Sequence, residues 1–159
     1  MINRILNTKE INYTSSLDKE NLIIKLKSLF EQETIRLNGK FISENEFSAY
    51  ENMNIIGWYM PNLRRKSTYL KGEISQQNNI ILIKLKVISN PILPISAIIF
   101  MLGGSLITFI ALLTIQKESF FLFFGPTLTA LGFLYYLLSI TLRNRVLKKI
   151  VKYLGLVKV

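Results

Sequence analysis

The stretch Ile55-Ile56-Gly57-Trp58-Tyr59-Met60-Pro61 runs into Asn62-Leu63-Arg64-Arg65-Lys66, so aromatic and apolar groups precede three adjacent cations. Two chemistries suit that order. Trp58 and Tyr59 can sit at the headgroup level of a membrane while the cations meet lipid phosphates, each contributing roughly 1 kcal/mol. Alternatively, Arg64 and Arg65 can hold a phosphate or nucleotide ligand, because guanidinium forks match phosphate oxygens. A third reading needs no ligand: a core strand from Ile55 to Met60 that ends in a solvated basic turn. A second cationic group, Arg143, Arg145, Lys148, Lys149 and Lys152, lies late in the chain. Nucleic-acid binding is disfavoured for these cations, because they follow an uncharged run directly and so read as juxtamembrane.

Other chemistry is missing. The chain has no cysteine and no histidine, which removes disulfides, thiolate metal sites, the usual base near neutral pH and the commonest metal ligand. No phosphate-binding loop, dinucleotide fingerprint, nucleophile elbow or zinc spacing is present. Glu44 and Glu46 fall in a turn or strand start, and Glu31 and Glu33 end a helix. Neither pair has the contrasting environments that an acid–base couple needs. The sequence therefore predicts no catalytic residue, no cofactor and no metal.

Residues 1–90 must position the first cluster, and they read as a small α+β unit. Glu10 to Ser15 predicts a weak strand with Ile11 and Tyr13 in alternation. Ser16 or Asp18 caps a helix running to about Gln32, with Leu22, Leu26, Leu29 and Phe30 on one face. Asn38-Gly39 predicts a tight hairpin turn between Thr34–Leu37 and Lys40–Ile42. Glu46 to Glu51 is a further strand, with Phe47 and Ala49 on one face. Tyr69 to Ile74 and Ile80 to Ile88 predict a second hairpin across 75–79. In its last strand Ile81, Ile83, Leu85 and Val87 face one way and Lys84 and Lys86 the other. One amphipathic helix on one face of an antiparallel sheet closes such a core.

Two uncharged runs follow. No charge falls between Lys86 and Lys117, or between Glu118 and Arg143. The apolar segments 92–115 and 120–142 each exceed the ~20 helical residues a bilayer core requires. The link Gln116-Lys117-Glu118-Ser119 is so short that the spans must be antiparallel. Net charge is +4 over residues 1–90, zero over 91–142 and +6 over 143–159. The positive-inside rule then places both flanks in the cytoplasm and the turn outside. The opening Met-Ile-Asn-Arg lacks an apolar run of signal-peptide length, so insertion is expected to be directed by the hairpin. Gly103, Gly104 and Thr108 in the first span, and Gly125, Thr129 and Gly132 in the second, let helix backbones approach closely. That serves packing within the hairpin or self-association. With no ionisable group inside either span, a proton relay or ion-coupled transporter is disfavoured. Residues 143–159 read as a basic amphipathic helix. Val146, Leu147, Ile150, Val151 and Leu154 share a face, suited to the membrane surface or to packing on the cytoplasmic unit.

This layout resembles a loose class of small bacterial membrane proteins with a strand–helix–strands cytoplasmic domain, a late transmembrane hairpin and a basic C-terminal helix. The resemblance rests on Tyr69-Leu70-Lys71-Gly72-Glu73-Ile74, the lysine-bearing strand Ile80 to Val87, the Asn90-Pro91 entry and the tail Arg143 to Leu154. It implies no particular activity; the inner-membrane location is expected from the uncharged runs and their basic flanks. The expected function is non-enzymatic: a cytoplasmic domain that binds a partner or ligand at the membrane surface, with anionic lipid headgroups among the candidates. Two other readings stand beside it. One is an oligomerising, membrane-disrupting effector triggered by a ligand, as in antiviral defence. The other is a small subunit of a membrane complex.

Overall fold

Strand β1, Thr8–Ser15, leads through Asp18 into helix α1, Lys19–Glu31. The structure, a computed structural model, describes residues 7–32, 37–52, 66–77, 80–113 and 119–159. Asp18 caps α1: its side chain accepts from the Asn21 backbone N–H at 3.5 Å and from the Asn21 amide at 2.6 Å. Four strands follow: β2 (Leu37–Phe41), β3 (Glu46–Asn52), β4 (Lys66–Gln77) and β5 (Ile80–Ser89). Then come helices α2 (Ile92–Leu113) and α3 (Ser119–Leu154), and a short strand β6 (Val157–Lys158). The six strands form one antiparallel sheet in the order β2-β3-β4-β5-β1-β6. The fold class is α+β, as the sequence predicts.

The chain divides into two compact units. One comprises Thr8–Asn90 and Leu142–Val159. Its core lies on one face of the sheet, where Leu22, Leu26 and Leu29 of α1 meet Phe47, Leu70, Ile83, Leu85 and Val87. The basic tail belongs to the same core. Val146, Leu147, Ile150 and Leu154, on the last turns of α3, are buried in that cluster with Leu156. Of the two places the sequence allows for the tail's apolar stripe, the structure uses the sheet.

Gly155, with φ of 66°, ends α3 in the left-handed region, and the Leu156 N–H bonds the Val151 carbonyl at 3.0 Å. That cap turns the chain back so that β6 pairs with β1 at Tyr13 and Thr14.

One local expectation is corrected. Asn38-Gly39 is not a hairpin turn but the middle of β2, and the reversal falls at residues 42–45. There Ile42 N–H donates to the Glu46 carbonyl at 2.8 Å. The physical reason is α1. A Cβ on Gly39 would lie 2.5 Å from Cε1 and 2.6 Å from Cγ of Phe30, so the glycine admits the Phe30 ring. The predicted strand over 34–36 lies outside the described residues.

The other unit comprises Pro91–Thr141 together with Asn7. Both α2 and α3 contain a stretch long and apolar enough to cross a membrane. Their most apolar windows are 17% and 11% buried within the chain, whereas the core helix of a soluble protein is mostly buried. The two helices meet closely. A Cβ on Gly104 would lie 2.6 Å from the Gly125 carbonyl oxygen, and one on Gly132 would lie 2.7 Å from that of Ala97. Thr108 and Thr129 return their hydroxyls to the carbonyls of Gly104 (2.8 Å) and Gly125 (3.0 Å). Both hydroxyls thus have their donors met within their own helices, at the face where the helices approach.

Candidate functional site

Two polar arrangements in the sheet unit merit a functional reading, one on each face. The first begins from strand alternation. Phe47 and Ala49 of β3 face the core, so Glu51, two residues on, must face it too. Glu51 is 5% exposed. It lies in register with Thr68 of β4, and Thr68 with Ser89 of β5, so three polar side chains form a buried row. A carboxylate so placed requires cations, and α3 supplies them. Lys149 Nζ donates to Glu51 Oε1, and Arg145 Nε lies 3.8 Å from the same oxygen. Lys149 and Arg145, predicted as surface cations, are thus brought together at a buried acid. Arg143 bonds the Asn144 side chain at 3.3 Å, while Lys148 and Lys152 are exposed. Glu51 is not among the site residues that the sequence predicts, although its place in the apolar row of β3 is a usable signal.

The second arrangement is on the outer face. Asn38, Tyr50 and Tyr69 form one row across β2, β3 and β4, and Lys40, Ser48 and Lys71 form the next. Alternation turns these side chains away from the core, since Ala49 and Leu70 between them are buried at 2% and 1% exposure. Lys66 lays its ammonium 4.0 Å from the Tyr50 ring centroid and 5.9 Å from that of Tyr69. The rows line a shallow depression of about 230 Å³ that contains three lysines and no carboxylate.

Further along the same face the charges are compensated. Lys84 bonds Glu10 at 2.7 Å, and the hydrogen bond and charge of Lys84 hold the Glu10 carboxyl below its ordinary pKa. Glu10 in turn raises the Lys84 ammonium. Glu46 and Glu73 face each other across β3 and β4 at that level.

Among the other predicted site residues, Trp58, Tyr59, Arg64 and Arg65 lie outside the described residues. Gly104, Thr108, Gly125, Thr129 and Gly132 come together between α2 and α3, whereas Gly103 faces open space. Among the described residues no cluster of three or more acidic, histidine or cysteine side chains could hold a metal. No protein-family model matches the chain, and neither does any curated protein or solved structure.

Proposed function

We propose that the chain is an integral membrane protein, held by a hairpin of α2 and the apolar part of α3. Its sheet unit binds a partner or ligand at the cytoplasmic surface without catalysing a reaction. One observation carries this reading. The segments on either side of the apolar helices, ending at Asn90 and resuming at Leu142, fold into a single unit. Two spans inserted into one folded unit must leave from and return to the same side of a bilayer. That supports placing both flanks on one side of the membrane, by an argument independent of charge; the cytoplasmic side is the one the charge distribution favours.

The close approach at Gly104, Gly125 and Gly132 favours an anchor over an oligomerising effector, because these small residues already serve the contact between α2 and α3. Lys149 and Arg145 engage Glu51 within the sheet unit, so this pair reads as a structural contact and the outer face is the better candidate for binding.

The test uses the absence of cysteine, which makes any introduced thiol unique. Alkaline carbonate should leave the protein in the membrane pellet. In intact cells an impermeant maleimide should label Lys117→Cys and spare Ser75→Cys and Lys158→Cys, which react after lysis. Release by carbonate, or labelling of Ser75→Cys and Lys158→Cys from opposite sides, would overturn the proposal.

A further inference from the structure

We infer that the outer face of the sheet, at the end where β5 leads into α2, binds the phosphate headgroup of an anionic phospholipid. Lys40, Lys66 and Lys71 supply the charge, Ser48 a hydroxyl donor, and Tyr50 and Tyr69 an amphipathic floor. The inference rests on the membrane reading above and gives its ligand a chemical class.

Charge is the first argument. Three ammonium groups share one shallow depression, and among the described residues no carboxylate is ion-paired with any of them. Further along this face Lys84, by contrast, is ion-paired with Glu10. Glu46 and Glu73 occupy the next row along β3 and β4 but pair with none of the three, and ammonium groups gathered without a paired carboxylate repel one another, a repulsion that an anion relieves. The tyrosines are direct cross-strand partners, and their rings hold Lys66 above them. Tyrosine combines an apolar ring with a polar tip, which suits the boundary between acyl chain and headgroup.

Chain continuity is the second argument, and it selects a lipid over a soluble phosphate. The Lys66 carbonyl accepts a hydrogen bond from the Asn90 side chain at 2.8 Å. Asn90 is two residues before Ile92, where α2 begins. Two residues span at most ~7 Å, and the headgroup layer is roughly 5–8 Å deep on each side of the hydrocarbon core. If α2 enters the bilayer at its first residues, Lys66 is tied to the chain at headgroup depth. Tyr69 is paired with Ile88 and Thr68 with Ser89, so this end of β4 stays beside the last residues of β5 before the span.

The experiment is native mass spectrometry of the full-length protein in a neutral maltoside detergent, titrated with phosphatidylglycerol or phosphatidylcholine. Wild type should retain phosphatidylglycerol in preference. Lys66→Gln/Lys71→Gln should weaken that binding about 25-fold, at about fivefold per lysine, the factor equivalent to about 1 kcal/mol for each cation near an anionic surface. Lys66→Arg/Lys71→Arg, which keeps the charge, should restore it, separating lost binding from lost folding. Lys19→Gln/Lys27→Gln on α1 should bind as wild type.

The inference would be overturned by equal retention of both lipids by wild type, by undiminished phosphatidylglycerol binding by the glutamine pair, or by glycerol phosphate competing as strongly as the intact lipid. Single-stranded RNA displacing the lipid at lower concentration would do the same. Any of these with carbonate resistance intact would remove the lipid site and leave the membrane reading standing.

Discussion

Glu51 and Lys149 are 98 residues apart in sequence, and their pairing sets what each substitution costs. The Glu51 side chain is 6% exposed and that of Lys149 28%, so the acid is the more deeply buried partner, and Arg145 stays near it when Lys149 is removed. Lys149→Met in the presence of Glu51 should destabilise by about 1–3 kcal/mol, and Glu51→Leu in the presence of Lys149 by less, because the lysine can turn its ammonium to solvent. The double variant should recover most of that loss, because well-packed apolar groups often replace a buried pair without penalty. Denaturant titration of all four proteins closes the cycle, and additive losses would mean the pair is not coupled.

Tyr13 gives a pH prediction at the same scale. Burial raises its phenol above the ordinary 10.0. The folded state therefore keeps that proton after the unfolded chain has lost it. Stability from this group is complete below pH 10 and falls as pH rises through the folded pKa. Tyr13→Phe should flatten the alkaline loss in a stability–pH profile, and an unchanged profile would assign the loss to other groups. Of these residues, Glu51 was legible as an acid in an apolar row. Its partner was not, because strand alternation names a face and does not say which distant element covers it.

At the scale of elements, periodicity was legible where one face of an element is buried. The i, i+4, i+7 spacing of Leu22, Leu26 and Leu29 gives α1, and the alternation of Ile81, Ile83, Leu85 and Val87 gives β5. Asn38-Gly39 failed as a turn signal because Gly39 is required by Phe30 and not by the backbone of β2. The same fact predicts that Gly39→Ala destabilises by about 1–3 kcal/mol, the usual effect of overfilling a packed contact. Denaturant titration measures it. A loss no larger than that of an exposed strand substitution would show that the Phe30 ring moves aside freely. In the hairpin, a Cβ on Gly125 would stand 2.8 Å from the Thr108 nitrogen and 2.9 Å from the Gly104 oxygen. Those are backbone atoms and cannot rotate away. Gly125→Leu should therefore splay α2 from α3 and slow the migration of the chain in dodecyl sulfate gels. Leucine at the open Gly103 should leave migration unchanged.

For the whole molecule, the tail decides whether the sheet unit has a complete core. The amphipathic stripe from Val146 to Leu154 was readable from the sequence, but a stripe does not state what it covers, and both membrane and sheet satisfied it. In the structure Val146 and Ile150 are 0% exposed and Leu154 is 2% exposed. Each such side chain contributes roughly 1.5–3 kcal/mol when buried. Together they approach the ~5–15 kcal/mol that separates a folded domain from its unfolded chain. A chain ended after Thr141 should therefore lose the folded sheet unit even with both apolar helices present, read as loss of amide-exchange protection in β4 and β5. The unit is also interrupted in sequence at a single place, between Asn90 and Leu142. Replacing residues 91–141 by a flexible glycine–serine linker should then restore protection in those strands, because every buried residue of this core lies outside the excised segment. Protection in the truncated chain would show that α1 alone closes the sheet. Failure of the linked chain would show that the apolar hairpin is required to bring the two halves of the unit together.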